Sequence, residues 1–167
     1  MSLTKITTFL WFDTQAEEAA KHYISIFKNS KITSIHKYGD AAQKVMPQNI
    51  PGKVMTVAFE LDGHKFVGLN GGPHYTFNPA ISFHVGCDTQ EEVDYFWKKL
   101  GEGGDPANQR CGWLTDKFGV SWQIVPNALK EMIGDEDRGK ADRATTAMLD
   151  MKKFEVAELE NAYKGEQ

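Results

Sequence analysis

One short stretch of the sequence occurs twice: Asp13-Thr14-Gln15-Ala16-Glu17-Glu18 near the N-terminus and Asp88-Thr89-Gln90-Glu91-Glu92 later in the chain. Each copy follows an apolar run, at residues 6–12 and 81–85. Each also fits a helix start in which a threonine hydroxyl accepts the third helical amide and a glutamate bonds back to the cap. The pairs are Thr14 with Glu17 and Thr89 with Glu92. A repeated strand-cap-helix unit predicts a domain built from two similar halves.

The segments around the first copy complete the first half. The spacing of apolar and turn residues predicts, in order, a strand at 6–12, a helix at 15–27, a strand at 31–38 and a hairpin at 54–70 that turns at Asp62-Gly63. The helix has an apolar stripe at i, i+3, i+4 spacing, made of Ala16, Ala19, Ala20, Tyr23, Ile24 and Phe27. Residues 39–52, with Pro47 and Pro51, are expected to form a surface loop that overhangs a binding cavity.

The second half repeats this order. The pattern predicts a strand at 80–87, a helix at 90–100 and a hairpin at 109–125 that turns at Asp116-Lys117-Phe118-Gly119. Each half therefore fits β-α-β-β-β, although the strand after the second helix is weakly marked. Two further helices are predicted at 138–151 and 156–163, with buried positions at Met148, Leu149, Leu159 and Ala162. The expected organisation is a first module at 1–75, a second at 76–126 and a helical extension at 127–167, within one domain overall.

Composition excludes some classes of partner. The chain has 167 residues, a formal net charge of -4 and no basic run, which argues against binding of nucleic acid or an anionic membrane. We see no apolar stretch of membrane-spanning length and no signal-peptide pattern. Cys87 and Cys111 lack the spacing of a metal site, so we expect reduced thiols in a cytoplasmic protein. A disulfide between the two cysteines remains an alternative.

Several motifs together resemble one known family. They are Ile6-Thr7-Thr8-Phe9-Leu10-Trp11-Phe12, Leu69-Asn70-Gly71-Gly72-Pro73, Ile81-Ser82-Phe83, Glu92-Val93-Asp94-Tyr95, Cys111-Gly112-Trp113-Leu114, Asp116-Lys117-Phe118-Gly119-Val120-Ser121-Trp122-Gln123 and Ala147-Met148-Leu149-Asp150-Met151-Lys152-Lys153. The chain resembles the PhnB-like branch of the vicinal oxygen chelate superfamily, which includes glyoxalase I, extradiol dioxygenases and bleomycin-resistance proteins. This resemblance implies an α+β fold in which two β-α-β-β-β modules form a partly open mixed-sheet barrel, with C-terminal helices added. It also implies a homodimer.

The PhnB-like branch often carries the label 3-demethylubiquinone-9 3-methyltransferase, which the residues do not favour. Common methyltransferases bind S-adenosylmethionine at a glycine-rich turn between a strand and a helix. The two strand-to-helix turns here, at 12–14 and 87–89, contain no glycine cluster. Gly71-Gly72 precedes Pro73 and then a strand, so no helix N-terminus follows it. The residues therefore argue against methyl transfer.

The resemblance also implies positions for the metal ligands of the superfamily. They fall on Thr7 or Thr8, on Asn70, on Ala80 and on Gln123. These side chains bring neither charge nor imidazole, so they make a poor first shell for a divalent cation. We therefore predict no metal and no cofactor.

Six residues are candidates for contact with a ligand in the barrel cavity: Trp11, Asn70, Ser82, His84, Trp113 and Gln123. Alternation puts Ala80, Ser82 and His84 on one strand face. His84 is either a polar contact or proton acceptor for a ligand, or a hydrogen-bonded histidine at the rim. The tryptophans Trp11, Trp113 and Trp122 line either an aromatic pocket or the core. Alternatively, the Asn70 side chain forms hydrogen bonds with nearby backbone within its own turn.

The sequence therefore predicts a protein that binds a small molecule in its cavity, or acts on one without metal. Two alternatives remain open. One is a metal-dependent lyase or dioxygenase-type enzyme with a shifted ligand set around His84 and Gln123. The other is a sequestering protein of the drug-resistance kind, which needs a cavity but no catalytic groups.

Overall fold

The computed structural model describes residues 5–45 and 50–166 and has an α+β fold with two mixed sheets. The chain divides into two compact units, Met1–Phe77 and Asn78–Gln167. A four-stranded sheet lies in the first unit and a three-stranded sheet in the second. The predicted α+β class is confirmed.

The first unit contains four strands and two helices. In chain order they are β1 (Thr8–Phe12), α1 (Ala16–Ile26), β2 (Lys31–Lys37), α2 (Asp40–Val45), β3 (Val54–Leu61) and β4 (His64–Asn70). The sheet has the order β1-β4-β3-β2; β1 pairs with β4 in parallel and the other pairs are antiparallel. The predicted hairpin turn is confirmed, because Asp62 and Gly63 have φ of 45° and 81°, the left-handed values of a tight two-residue turn.

Helix α1 packs on one face of this sheet. Its buried residues are Ala16, Ala19, Ala20, Tyr23 and Ile26, whereas the predicted Ile24 and Phe27 are only partly buried. Gly68 on β4 allows the close approach, since a methyl group there would lie 3.1 Å from the Cβ of Ala16. Small residues on the helix and the strand therefore set the distance between the two layers.

Two predictions for the first unit need correction. The helix does not begin with a Thr14 cap: Gln15 is the cap residue and makes no side-chain cap hydrogen bond. Part of the predicted loop at 39–52 is the short helix α2. The rest of that loop includes Pro47, which lies outside the described residues.

The second unit begins with a three-stranded sheet and one packed helix. Its elements are β5 (Phe83–Cys87), α3 (Gln90–Gly101), a 3-10 turn (Pro106–Asn108), β6 (Trp113–Thr115) and β7 (Ser121–Pro126). The strand order is β5-β7-β6, with β5 parallel and β6 antiparallel to β7. Here the threonine part of the capping prediction is confirmed, because the Thr89 hydroxyl accepts the Glu92 amide at 3.3 Å. The Glu92 carboxylate accepts the amide of Asp88, the residue before the cap, at 2.8 Å, and not that of Thr89 as predicted.

The predicted β-α-β-β-β order is wrong for the second unit. Between α3 and β6 the described residues form the 3-10 turn and no strand. The chain then reverses at Cys111-Gly112, where φ is 51° and 76°. Arg110 and Trp113 flank this turn and exchange both backbone hydrogen bonds, at 3.1 and 2.8 Å. A tight turn therefore occupies part of the segment predicted as one continuous strand at 109–115.

Three helices complete the second unit: α4 (Asn127–Ile133), α5 (Arg138–Asp150) and α6 (Val156–Lys164). The last two confirm the predicted helices within one residue at each end, whereas α4 was not predicted. Leu159 is buried as predicted, but Leu149 is 53% exposed. The core of these helices is formed by Leu129, Met132, Ala144, Phe154 and Leu159. Within the described residues, no helix is long and apolar enough to cross a membrane.

Candidate functional site

The four-stranded sheet has one face that α1 does not cover. Strand register places four side chains in one row across this face: Trp11, Leu69, Thr56 and His36. A second row contains Phe9, Val67, Ala58 and Ser34. Phe9 is 63% exposed. This face is therefore apolar toward β1 and carries hydroxyl and imidazole groups toward β2.

Trp11, a predicted ligand contact, is half-buried and held in place by the loop after β4. Its indole Nε1 donates to the carbonyl of Gly72 at 2.8 Å. Gly71 lies against the ring, since a methyl group there would be 2.2 Å from Cζ2 of Trp11. Tyr75 contacts the indole edge-to-face, with ring centroids 5.0 Å apart. The Gly71-Gly72 pair therefore positions an aromatic side chain.

Asn70, another predicted contact, uses its side chain within the first unit. Its Oδ1 accepts the amide of Ala16 at 2.8 Å, and its Nδ2 donates to the carbonyl of Val54 at 3.0 Å. The Asn70 carbonyl accepts the Tyr38 hydroxyl at 2.5 Å. Asn70 thus joins the start of α1, the start of β3 and the end of β4.

The three-stranded sheet also has one face packed by a helix and one polar face. Leu114, Trp122 and Ile124 are buried, and a methyl group at Gly101 on α3 would lie 3.7 Å from Cδ2 of Leu114. The opposite face carries a row set by strand register: His84 pairs with Gln123, and Gln123 with Trp113. Four predicted contacts, Ser82, His84, Trp113 and Gln123, therefore come together on one face, which we call the polar face.

A hydrogen bond organises the polar face. Gln123 Nε2 donates to the Ser82 hydroxyl oxygen at 2.7 Å. Because Ser82 accepts from Gln123, its own hydrogen remains available to donate, and Gln123 keeps a second N–H and its carbonyl oxygen. His84, in register beside Gln123, is exposed. The arrangement offers neutral donors and acceptors suited to oriented hydrogen bonds with a ligand.

Trp122 does not contribute to this face. It is 3% exposed, and its indole Nε1 donates to Asp116 Oδ2 at 2.8 Å. Asp116 is buried as well and accepts the amides of Phe118 and Val120 through Oδ1. Trp122 was predicted to line either an aromatic pocket or the core, and the structure places it in the core. Ala80 and Ile81 precede β5, and Ile81 is 76% exposed, so the predicted strand at 80–87 begins too early.

Both cysteines are free thiols. Burial raises the pKa of Cys87 to about 12, and the nearby carboxylates of Glu92 and Asp88 act in the same direction. Burial also raises the pKa of Cys111, while the Arg110 guanidinium opposes this increase. A raised pKa keeps a thiol protonated, so neither cysteine is activated as a nucleophile.

Several members of the two faces were not predicted from the sequence. Phe9 is two residues from Trp11, so strict alternation along β1 was a sufficient signal for it. Leu69, Thr56 and His36 depend on strand pairing across the sheet, which one strand does not reveal. Arg110 shares the side of Trp113 because the two residues flank a two-residue turn. The Cys111-Gly112 dipeptide gave no strong turn signal.

The residues at the positions that the family resemblance implies for metal ligands do not suit a metal ion. Thr8 alternates with Phe9 and Trp11 and so lies on the opposite side of β1 from them. The Asn70 amide is used by Ala16 and Val54, and Ala80 carries no donor atom. Within residues 5–45 and 50–166, no three His, Cys, Asp or Glu side chains come together as possible ligands. The donor set on these faces suits hydrogen bonding rather than coordination of a divalent cation.

Comparison with known proteins identifies the family. A family model described as 3-demethylubiquinone-9 3-methyltransferase matches residues 4–125. The chain therefore belongs to this family and is a PhnB-like protein. The match ends within β7, so α4, α5 and α6 lie outside it. The comparison with curated proteins gave no match.

Two solved structures are similar to the chain, and the first agrees with this assignment. One is a Bacillus cereus protein described as a putative 3-demethylubiquinone-9 3-methyltransferase, PhnB protein; it is 38% identical, with 74% of this chain and 99% of that chain covered and a TM-score of 0.62. Protein PA1353 from Pseudomonas aeruginosa is 20% identical, with coverage of 72% and 96% and a TM-score of 0.56. This second likeness concerns the fold alone.

Proposed function

We propose that this PhnB-like protein binds a small, largely planar molecule through the polar face of its three-stranded sheet. The observation that carries this proposal is the row of His84, Gln123 and Trp113, with Ser82 bonded to Gln123 at 2.7 Å. An aromatic side chain beside oriented amide, hydroxyl and imidazole groups is the usual composition of a small-molecule site. The neutral groups favour binding, or a reaction on the ligand that needs no metal.

The uncovered face of the first unit supports the same function. That face offers Phe9 and Trp11 as apolar surface, and Thr56 and His36 as polar groups at one side. For the whole fold we propose, from the family resemblance, a partly open barrel of the vicinal oxygen chelate type with a first module, a second module and a helical extension. Large exposed aromatic groups on an uncovered sheet face are unusual in a chain that acts alone.

This last point leads us to include a homodimer in the proposal. Phe9 is 63% exposed and Ile81 is 76% exposed. Pairing of two chains would remove such surface from water at about 25 cal/mol per Å². Analytical ultracentrifugation of the full chain tests this part, with a single species of about twice the 18.8 kDa chain mass expected.

Methyl transfer from S-adenosylmethionine is not part of the proposal. The first amide of α1, that of Ala16, is bonded by Asn70, and the third amide of α3, that of Glu92, is bonded by Thr89. Neither strand-to-helix turn has the glycines that let a backbone approach a nucleotide. Calorimetric titration with S-adenosylmethionine should give no binding heat.

A metal-dependent lyase or dioxygenase using His84 and Gln123 is the second candidate. This candidate is supported by strand pairing, which places the two residues side by side on β5 and β7. Elemental analysis of protein purified without chelator separates this candidate from simple binding. One bound transition metal per chain that is lost in His84→Ala would favour the enzyme.

Binding is tested with 2-naphthamide, a neutral planar probe. Tryptophan fluorescence should be quenched saturably, and Trp113→Phe should weaken binding several-fold, because an aromatic contact contributes about 0.5–1.5 kcal/mol beyond its buried area. Trp97→Phe is the matched control, since Trp97 lies on α3. Absence of saturable quenching, or equal weakening by both variants, would contradict the proposal. Tight binding without turnover of any added compound would support a sequestering role.

A further inference from the structure

The row on the polar face continues beyond Trp113 to a cationic side chain. Arg110 is the antiparallel bridge partner of Trp113, and the two residues exchange both backbone hydrogen bonds at 3.1 and 2.8 Å. Directly paired residues in antiparallel strands project from the same face. The row across the sheet is therefore His84, Gln123, Trp113 and Arg110.

The dimensions of this row suit one small molecule. Adjacent strands lie about 4.8 Å apart, so three steps from His84 to Arg110 span about 14 Å at the backbone. Hydrogen-bonding groups occupy one end, an indole lies in the middle and a guanidinium lies at the other end. A ligand that uses the whole row would combine a polar group, a planar middle and an anionic end.

Arg110 is held where it can serve this purpose. The turn beside it is anchored to the segment after α5: the Cys111 amide donates to the Met151 carbonyl at 2.7 Å, and the Gly112 amide donates to the Lys152 carbonyl at 2.8 Å. Gly112 also lies against Phe154, since a methyl group there would be 2.3 Å from its ring. These contacts hold the turn against the segment between α5 and α6. That segment lies outside the residues that the family model matches.

The guanidinium itself is exposed, and no carboxylate among the described residues forms an ion pair with it within 4.0 Å. The remaining side chains of the row, His84, Gln123 and Trp113, include no carboxylate that would repel an anion. A planar guanidinium matches a carboxylate with two parallel hydrogen bonds. The position, charge and planar geometry of the Arg110 guanidinium therefore favour a ligand with an acidic group.

We propose that Arg110 binds the anionic end of the ligand, so that the polar face selects planar acids such as aromatic carboxylates over neutral compounds of the same shape. This inference rests on the proposed binding function and adds the ligand class and one specificity residue. Trp113 would contact the planar part, and the Ser82 hydroxyl and Gln123 amide would bind polar groups at the far end.

The test compares two probes of nearly equal shape, 2-naphthoate and neutral 2-naphthamide, by tryptophan quenching. The full chain should bind naphthoate about fivefold more tightly, the size expected of a well-oriented but solvent-exposed ion pair. Arg110→Gln should remove this preference, so that naphthoate and naphthamide bind the variant with equal affinity. Arg110→Lys should keep only part of it, because an ammonium lacks the paired donors. Lys98→Gln on α3 makes the same charge change and should keep the preference.

The outcomes separate the two proposals. Equal affinities for naphthoate and naphthamide, or a preference that survives Arg110→Gln, would overturn the role of Arg110 and leave binding on the polar face intact. A preference lost equally in Lys98→Gln would also overturn it, since net charge alone would then explain the effect. If neither probe binds, both the binding function and this inference are contradicted.

Discussion

The side-chain oxygen of Asn70 accepts the amide hydrogen of Ala16 at 2.8 Å, so a residue at the end of β4 caps the helix that follows β1. The same side chain donates to the Val54 carbonyl at 3.0 Å. These bonds tie three elements of the first unit together. They also fix the start of the loop that positions Trp11.

Replacing Asn70 should therefore destabilise the protein more than replacing the threonine that local sequence suggests as the cap. Asn70→Ala leaves the Ala16 amide and the Val54 carbonyl without their partner, and we expect a loss of about 1–3 kcal/mol in the free energy of unfolding. Thr14→Ala should change it by less than about 0.5 kcal/mol. Urea denaturation of both variants measures the difference, and a larger effect of Thr14→Ala would contradict the assignment.

This contrast shows how far the sequence determines the first unit. Apolar alternation and the Asp62-Gly63 turn predicted the hairpin correctly because both signals are local. The cap of α1 was missed because its acceptor comes from a strand 54 residues away. A local pattern cannot report a partner that only strand pairing brings close.

The same distinction applies to the candidate site. Ser82, His84, Trp113 and Gln123 were predicted from alternation and family resemblance, and the structure places them on one face. Arg110 was missed because its position depends on the Cys111-Gly112 turn, in a segment that alternation assigned to a strand. The absence of a metal site was predicted only from the chemistry of the side chains at the implied ligand positions, and it stays a prediction.

Gly71 should be required for the placement of Trp11. In Gly71→Ala the new methyl group would lie 2.2 Å from the indole, so the ring must move. We expect a loss of about 1–3 kcal/mol in stability and a changed near-ultraviolet circular dichroism spectrum. Gly39→Ala is the control, because nothing lies within 4 Å of a methyl group there. An unchanged spectrum for Gly71→Ala would contradict this packing.

Gln90 should hold the segment between α5 and α6 against α3. Its Nε2 donates to the Phe154 carbonyl at 3.1 Å and its Oε1 accepts the Val156 amide at 2.7 Å. Gln90→Ala should cost about 1–2 kcal/mol and speed hydrogen exchange at Val156. Gln15→Ala, at the start of the other helix, serves as a control. Unchanged exchange at Val156 would show that the contact does not hold this segment.

Cys87 should make stability depend on pH above 9. Its pKa is raised from 9.0 to about 12 in the folded protein, so the native thiol keeps its proton after the unfolded one has lost it. The stabilisation is fully present below pH 9 and declines by about 1.4 kcal/mol per pH unit as the pH rises toward 12. Denaturation of the full chain and of Cys87→Ala at about pH 8 and about pH 10.5 isolates this contribution. Parallel loss in both proteins would contradict it.

The central claim is that a ligand binds on the polar face of the three-stranded sheet. Nuclear magnetic resonance of isotope-labelled protein titrated with 2-naphthamide tests it most directly, because each affected group is identified by residue. We predict saturable shifts at the Trp113 indole N–H and the Gln123 side-chain amide, with little change at the buried Trp122 indole. Shifts confined to α3, or no saturable shift at Trp113 and Gln123, would contradict the account.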